Sequence, residues 1–417
     1  MNSIYSIITI INKCLFYAFF AMVCIACNGK STPEPEEEGL TDTYPRIAQS
    51  QYADVLVSCV DTSIAPSSCT FDTLPLIGME HSAPTVSDIM ERVVVSHDWM
   101  ADNFERALNA LPADMLELLK GVSAVVIDDD IRPSFYRSGT GAIYIDPRYI
   151  WLTDAGKATI PRKDDYRSGY DNELIFVYFW RYVKDGDYAY RYFDIDDAGE
   201  RTLDDMLIPL ARLLYHELGH ANDYFPPSEV ANIDRSESYV YASISLSTKR
   251  TSYLLNESWP LQSEELHSMA YVKYRGFTAT DEQKLTDAAT MGGWFDPDLA
   301  SDFYNFRSIR EDMAMMFEEA MMKYHFGIDR DIAFTNKPVD ESPSCNDYVI
   351  AWGTRNRVAA PQVVDRAAFV INRLIPDNAA DAIAYFYDLG DASDLTSGQG
   401  WCETKGEISS LTRSQFT

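Results

Sequence analysis

The five residues His216-Glu217-Leu218-Gly219-His220 constrain this chain more than any other part of it. They lie in an amphipathic stretch, Leu203 to Tyr224, that stops at Pro226-Pro227 and reads as a long helix. Positions four apart share a helical face, so both imidazoles can reach one metal ion. The glutamate after the first histidine can then take a proton from water held there. Leu210, Leu213, Leu214 and Leu218 bury the rest of the helix and give the ligands a rigid base. With only 6 His in 417 residues, the pattern is expected by chance about 0.005 times. The donor types favour Zn2+, which for catalysis needs a third protein ligand and one open position.

The remaining composition narrows the partners. There are 35 Lys and Arg against 64 Asp and Glu, a formal charge of −29 and a pI near 4.5. That is the wrong sign for a phosphate backbone, so no nucleic-acid partner is expected. With 46% hydrophobic and 13% aromatic residues, disorder is excluded as well. Residues 40–80 read as irregular, with one short strand at Ala53–Val60. Helical periodicity runs from Val86 to about Leu119, broken near Pro112. Val122–Ile127 and Ala142–Asp146 read as strands, and Leu174–Val183 as a third apolar run. Beyond the motif helix the pattern is helical at 261–274, 281–291, 298–326 and 361–375. Strands early and helices late imply an α+β fold, a small sheet facing a mostly helical C-terminal half.

The N-terminus reads as an export signal. Lys13 precedes an unbroken apolar run, Cys14 to Ala26, which suits a secretory segment better than a membrane span. Ile25-Ala26-Cys27 resembles the lipobox of bacterial lipoproteins, although Cys24 stands where that motif usually has Leu. The resemblance implies cleavage after residue 26 and a lipid on Cys27 as the only membrane attachment, and the lack of an Asp after Cys27 implies the outer membrane or cell surface. Pro- and Glu-rich residues then form a tether over 27–50. The expected organisation is signal 1–26, tether 27–50, an N-terminal subdomain 51–225 with the motif helix, and a helical subdomain 226–417. Four cysteines remain in the exported part, and the favoured pairing is Cys59–Cys69 with Cys345–Cys402.

The third ligand selects among metallopeptidase types. Asp223 and Pro226 stand where metzincins carry Gly and a ligand, and Gly353-Thr354-Arg355-Asn356 lacks the Asp of the aspzincin motif. A gluzincin pattern remains, with a Glu from a later helix: Glu257, Glu264, Glu265, Glu311, Glu318 or Glu319. Glu311 is preferred. It opens Glu311-Asp312-Met313-Ala314 on an apolar helix, and Tyr304 stands seven residues before it. These residues, with His216 to Tyr224, resemble the anthrax lethal factor-like gluzincins over 205–225 and 300–320. The chain departs at Met315, where that group commonly repeats a Glu, and the motifs are further apart. The resemblance implies a zincin-like fold with zinc on His216, His220 and Glu311, Glu217 as general base, and Tyr304 donating to the oxyanion.

The expected activity is therefore hydrolysis of a peptide or protein substrate by a monomer. Two other functions fit the same motif: a surface lipoprotein using the scaffold for binding, and an amidase acting on cell-wall peptides. Asp223 shares a face with the two histidines and reads either as a carboxylate orienting a ligand or as a surface acid. The acids from Asp194 to Asp205 suggest a calcium loop only faintly, because Ala198 fills a ligand position. The methionines at 313–322 read as core packing, and Glu264, Glu265 and Glu318 as dispensable surface acids.

Overall fold

Why the chain folds as two sheets around two helices is visible in where its β-branched and aromatic runs fall. The computed structural model describes residue 40 and residues 42–63, 69–163, 165–389 and 392–404. The expected signal segment, Cys27 and the first part of the tether lie outside the described residues.

The first sheet has the order β1-β2-β3-β5-β4, with β1 Tyr44–Pro45, β2 Val93–Val95, β3 Val125–Ile127, β4 Phe135–Arg137 and β5 Ala142–Ile145. Its centre, β2-β3-β5, is parallel, in register Val94↔Val126↔Tyr144. All ten residues of these three strands are buried, as parallel strands covered on both faces must be. Both edge strands, β1 and β4, run antiparallel to their neighbours.

The second sheet is antiparallel throughout, in the order β10-β9-β8-β6-β7. Its strands are β6 Phe176–Lys184, β7 Asp187–Tyr188, β8 Asp329–Asn336, β9 Ile350–Arg355 and β10 Ser393–Asp394. Three of these five belong to the half expected to be mostly helical. The α+β class holds, but the C-terminal half supplies most of a sheet. Alternation in β8 puts Arg330, Ile332 and Phe334 on one face and Asp331, Ala333 and Thr335 on the other. Two buried charges, Arg330 and Asp331, disguise it as a polar segment.

Two shorter segments also depart from expectation. Ala53–Val60 is a helix rather than a strand, because Tyr52, Leu56, Cys59 and Val60 are buried at helical spacing. Val93–Val95, inside the stretch read as helical, is a strand of three buried β-branched residues. The region 281–291 divides into Asp281–Lys284 and Ala288–Phe295.

Between the sheets lie the motif helix, Leu203–Tyr224, and a second long helix, Ile309–Phe326, packed on each other. The motif helix also packs on β4 and β5. Its N-terminus is closed by a capping box in which Thr202 and Asp205 satisfy each other's backbone N–H groups, so Asp205 is spent on the helix rather than on a cation. The helices meet at Gly219, where a Cβ would sit in ordinary contact with Phe317 at 3.6 Å and Ala314 at 3.8 Å. Met313, Met316, Met321 and Met322 fill the largest core, as expected. Both disulfides form as expected, Cys59–Cys69 and Cys345–Cys402, which fits an oxidising, extracellular compartment. No helix among the described residues is long and apolar enough to cross a membrane.

Candidate metal centre

His216 and His220 project from one face of the motif helix, their ring centroids 4.9 Å apart. Glu311 enters from the first turn of the second helix, where Ser308 caps the backbone N–H of Glu311. Its Oε2 lies 3.1 Å from His216 Nε2 and 3.2 Å from His220 Nε2. Arg307 Nη1 donates to the other oxygen, Oε1, leaving Oε2 to the histidines. These three residues form the one His/Cys/Asp/Glu group among the described residues that could hold a metal, with ligand atoms all within 4.8 Å of one another.

The spacing is a test of fit. Tetrahedral zinc with bonds of about 2.0–2.1 Å separates its ligand atoms by about 3.3 Å. Both N···O separations are close to that edge, and two imidazoles with one carboxylate are a donor set zinc takes. The electrostatics agree. Burial works against a charged His216, yet hydrogen bonds to Glu311 and Glu318 hold its pKa up at about 10. Glu311 is buried too, but His220 and His216 keep its carboxyl well below the ordinary range. The carboxylates beside the two histidines favour a positive charge at this point, whether proton or metal.

Glu318 corrects the sequence reading. Rather than a dispensable surface acid it is fully buried, two helical turns after Glu311 on the same face. Its Oε2 lies 3.1 Å from His216 Nδ1, and its Oε1 accepts from Tyr182 Oη at 2.8 Å. Arg330 Nη1 and Arg212 Nη1 stand 3.5 and 3.6 Å from the same Oε1. Burial raises its pKa, but Arg212, His216 and Arg330 overcome this and bring it to about 2. An ionised Glu318 accepting from Nδ1 fixes the His216 tautomer that leaves Nε2 free as a ligand. Tyr182 and Arg330 are register partners on β6 and β8, so the second sheet braces the centre.

Asp223 does not touch the histidines. It is fully buried and accepts from Ser252 N and Oγ, both at 2.7 Å, near the start of the helix Thr251–Ser258. Glu217 is buried and lines the same cavity as the ligands, and burial raises its pKa. Tyr304 sits on a short helical turn, Phe303–Arg307, its ring centroid 6.1 Å from that of His216. Burial and then Glu311 push its phenol pKa up, so it stays a donor. Glu264 and Glu265 are exposed and do not belong to the His216/His220/Glu311 group.

The centre opens into a cavity of about 740 Å³ lined by His216, Glu217, His220, Tyr304, Glu311 and Glu318, among others. The edge strand β4 contributes Phe135 and Tyr136 to its wall. The chain matches no protein-family model, no curated protein and no solved structure.

Proposed function

We propose that this chain is a zinc-dependent metallopeptidase of gluzincin type, exported and held at the bacterial surface by a lipid on Cys27. The observation that carries this is a set of three donor atoms within 4.8 Å of one another, with Glu311 Oε2 at tetrahedral-edge distance from both histidine nitrogens, facing a cavity large enough for a peptide segment. Zinc at His216, His220 and Glu311 would supply Lewis acidity, which acidifies a water molecule and polarises a carbonyl.

The chain's own groups supply the rest. Glu217, kept from bulk water, takes the proton of the attacking water on its carboxylate and passes it to the leaving amine. Tyr304, protonated, donates its Oη hydrogen to the oxygen of the tetrahedral intermediate. Glu318 does not touch the substrate; it holds the His216 ring in place. A zincin-like reading of the fold is supported by β4, an antiparallel edge strand beside the motif helix, along which an extended substrate can add a strand. An intact Glu217 favours an enzyme over a binding scaffold, which has no use for a general base.

Metal analysis of purified residues 28–417 tests the reading. About one zinc per chain is expected, falling to near zero in His216→Ala/His220→Ala. Quenched-peptide cleavage should vanish in Glu217→Gln. A wild-type chain loaded with zinc that cleaves neither casein nor a peptide library would refute it.

A further inference from the structure

The cavity has a charge opposite to the protein that contains it. Twelve Arg and Lys side chains line it against nine Asp and Glu, whereas the whole chain carries 35 against 64. A third of all its cations thus face one cavity.

The excess is localised. Near the metal centre the guanidiniums are matched: Arg307 pairs with Glu311, and Arg167 grips Asp165 through Nε at 2.9 Å and Nη2 at 2.5 Å. Further along the wall stand Arg132, Arg148 and Arg201: Arg132 Nη1 pairs with Asp146 at 3.0 Å, while Asp194 and Asp205 act on Arg148 and Arg201 through space. Arg148 Nη2 donates to the carbonyls of Pro161 and Lys163, at 3.2 and 3.0 Å. Arg201 lies over the Trp151 ring, 4.0 Å from its centroid, and donates to the carbonyls of Trp151 and Arg148. Carbonyl partners satisfy donors without neutralising charge. Arg132 Nε is buried with no hydrogen-bond partner among the described residues. Burial pulls the Arg201 pKa down to about 10, against the opposing pull of Asp205.

This wall joins the metal centre. Tyr149, next to Arg148, accepts a hydrogen bond from Arg212 Nη2 at 3.0 Å, and Arg212 flanks Glu318. Planar guanidiniums with spare donors are the groups that grip carboxylates in two-point pairs. We infer that the Arg132–Arg148–Arg201 wall receives acidic side chains, so that the substrate is a peptide bearing Asp or Glu at a remove from the scissile bond, an inference that rests on the peptidase reading. The −29 chain opposes this only weakly, since charges beyond about 8 Å are screened at physiological salt while those inside the cavity are not.

Binding rather than turnover tests it. The full exported chain carrying Glu217→Gln, which leaves peptides intact, is titrated into a labelled Ala-Glu-Ala-Asp-Ala-Glu peptide and its Gln/Asn counterpart at about 0.15 M salt. The acidic peptide should bind about tenfold tighter or better, the worth of one charge-assisted pair. Arg148→Gln and Arg132→Gln should each cut that ratio several-fold and leave the amide peptide's affinity unchanged. Equal affinity for the two peptides in the Glu217→Gln chain overturns the inference, whatever the arginine variants do. Wild-type cleavage of both peptides at equal rates would overturn it too and leave the peptidase reading standing. Selective acidic binding with no cleavage by the wild type would support the wall and remove the peptidase.

Discussion

Glu318→Gln isolates the part of the centre that no motif announces. The substitution keeps shape and one carbonyl oxygen but removes the charge that His216 Nδ1, Arg330 and Arg212 all face. Loss of such an outer carboxylate weakens metal binding about 10–100-fold, or about 1.4–2.7 kcal/mol. Glu318→Ala goes further. It leaves a buried Arg330 short of a partner and strips Tyr182 of its acceptor, and breaking a buried pair from one side costs about 3–5 kcal/mol. The Gln variant should therefore fold, with weakened zinc affinity, while the Ala variant loses fold and metal together. Competition against a chromophoric zinc chelator reads the first effect. Urea unfolding in excess chelator, where metal makes no contribution, reads the second. A Glu318→Gln chain with wild-type zinc affinity would refute the positioning role.

Other outcomes follow from the same geometry. Glu217→Gln should keep zinc and fold while turnover drops by about 10²–10⁴-fold; activity at wild-type level would remove Glu217 as the base. Glu311→Ala should lose most bound zinc, whereas exposed Glu264→Ala and Glu265→Ala stay near wild type; stoichiometric zinc in Glu311→Ala would place the third ligand elsewhere. Replacing Cys345 and Cys402, 57 residues apart, should lower stability by about 2–4 kcal/mol in urea titrations; an unchanged midpoint would contradict this. Asp128 is buried with its Oδ1 unpartnered, and burial followed by Asp129 raises its pKa from 3.8 to about 7. A raised acid loses its contribution to stability as pH climbs from about 4 to about 7, because the unfolded chain releases the proton first. Asp128→Asn should thus be more stable than wild type at pH 8 but not at pH 4; an equal difference at both would refute the assignment.

What could be read from the residues was what depends on local spacing. His216, Glu217 and His220 are placed by the spacing of one helix, whereas Glu311 and Tyr304 were legible only through the resemblance of their short segment to a known motif, since spacing alone left several later Glu open. Cys59 and Cys69 close a short loop and could be paired by proximity. Glu318 could not be read this way, because what makes it part of the centre is Tyr182 on β6 and Arg330 on β8, far apart in the chain and adjacent only after the sheet forms. The strand β8 was hidden for the same reason. Arg330 and Asp331 look solvated until Asp302 and Arg181, 28 and 150 residues away, neutralise them. Glu318 did leave one faint signal: its seven-residue offset from Glu311 puts both acids on one helical face.

The ligands come from helices whose partners are 91 and 95 residues apart in sequence. A metal held there cross-links the chain across that span, and the unfolded polypeptide has no equivalent site. Its occupancy therefore shifts the folding equilibrium by mass action, adding about 1.4 kcal/mol for every tenfold rise of free metal above Kd. In an extracellular setting where proteases act on unfolded chains, the survival of this chain would then follow the local supply of its metal, and starvation for that metal would remove the protein itself rather than only empty its site.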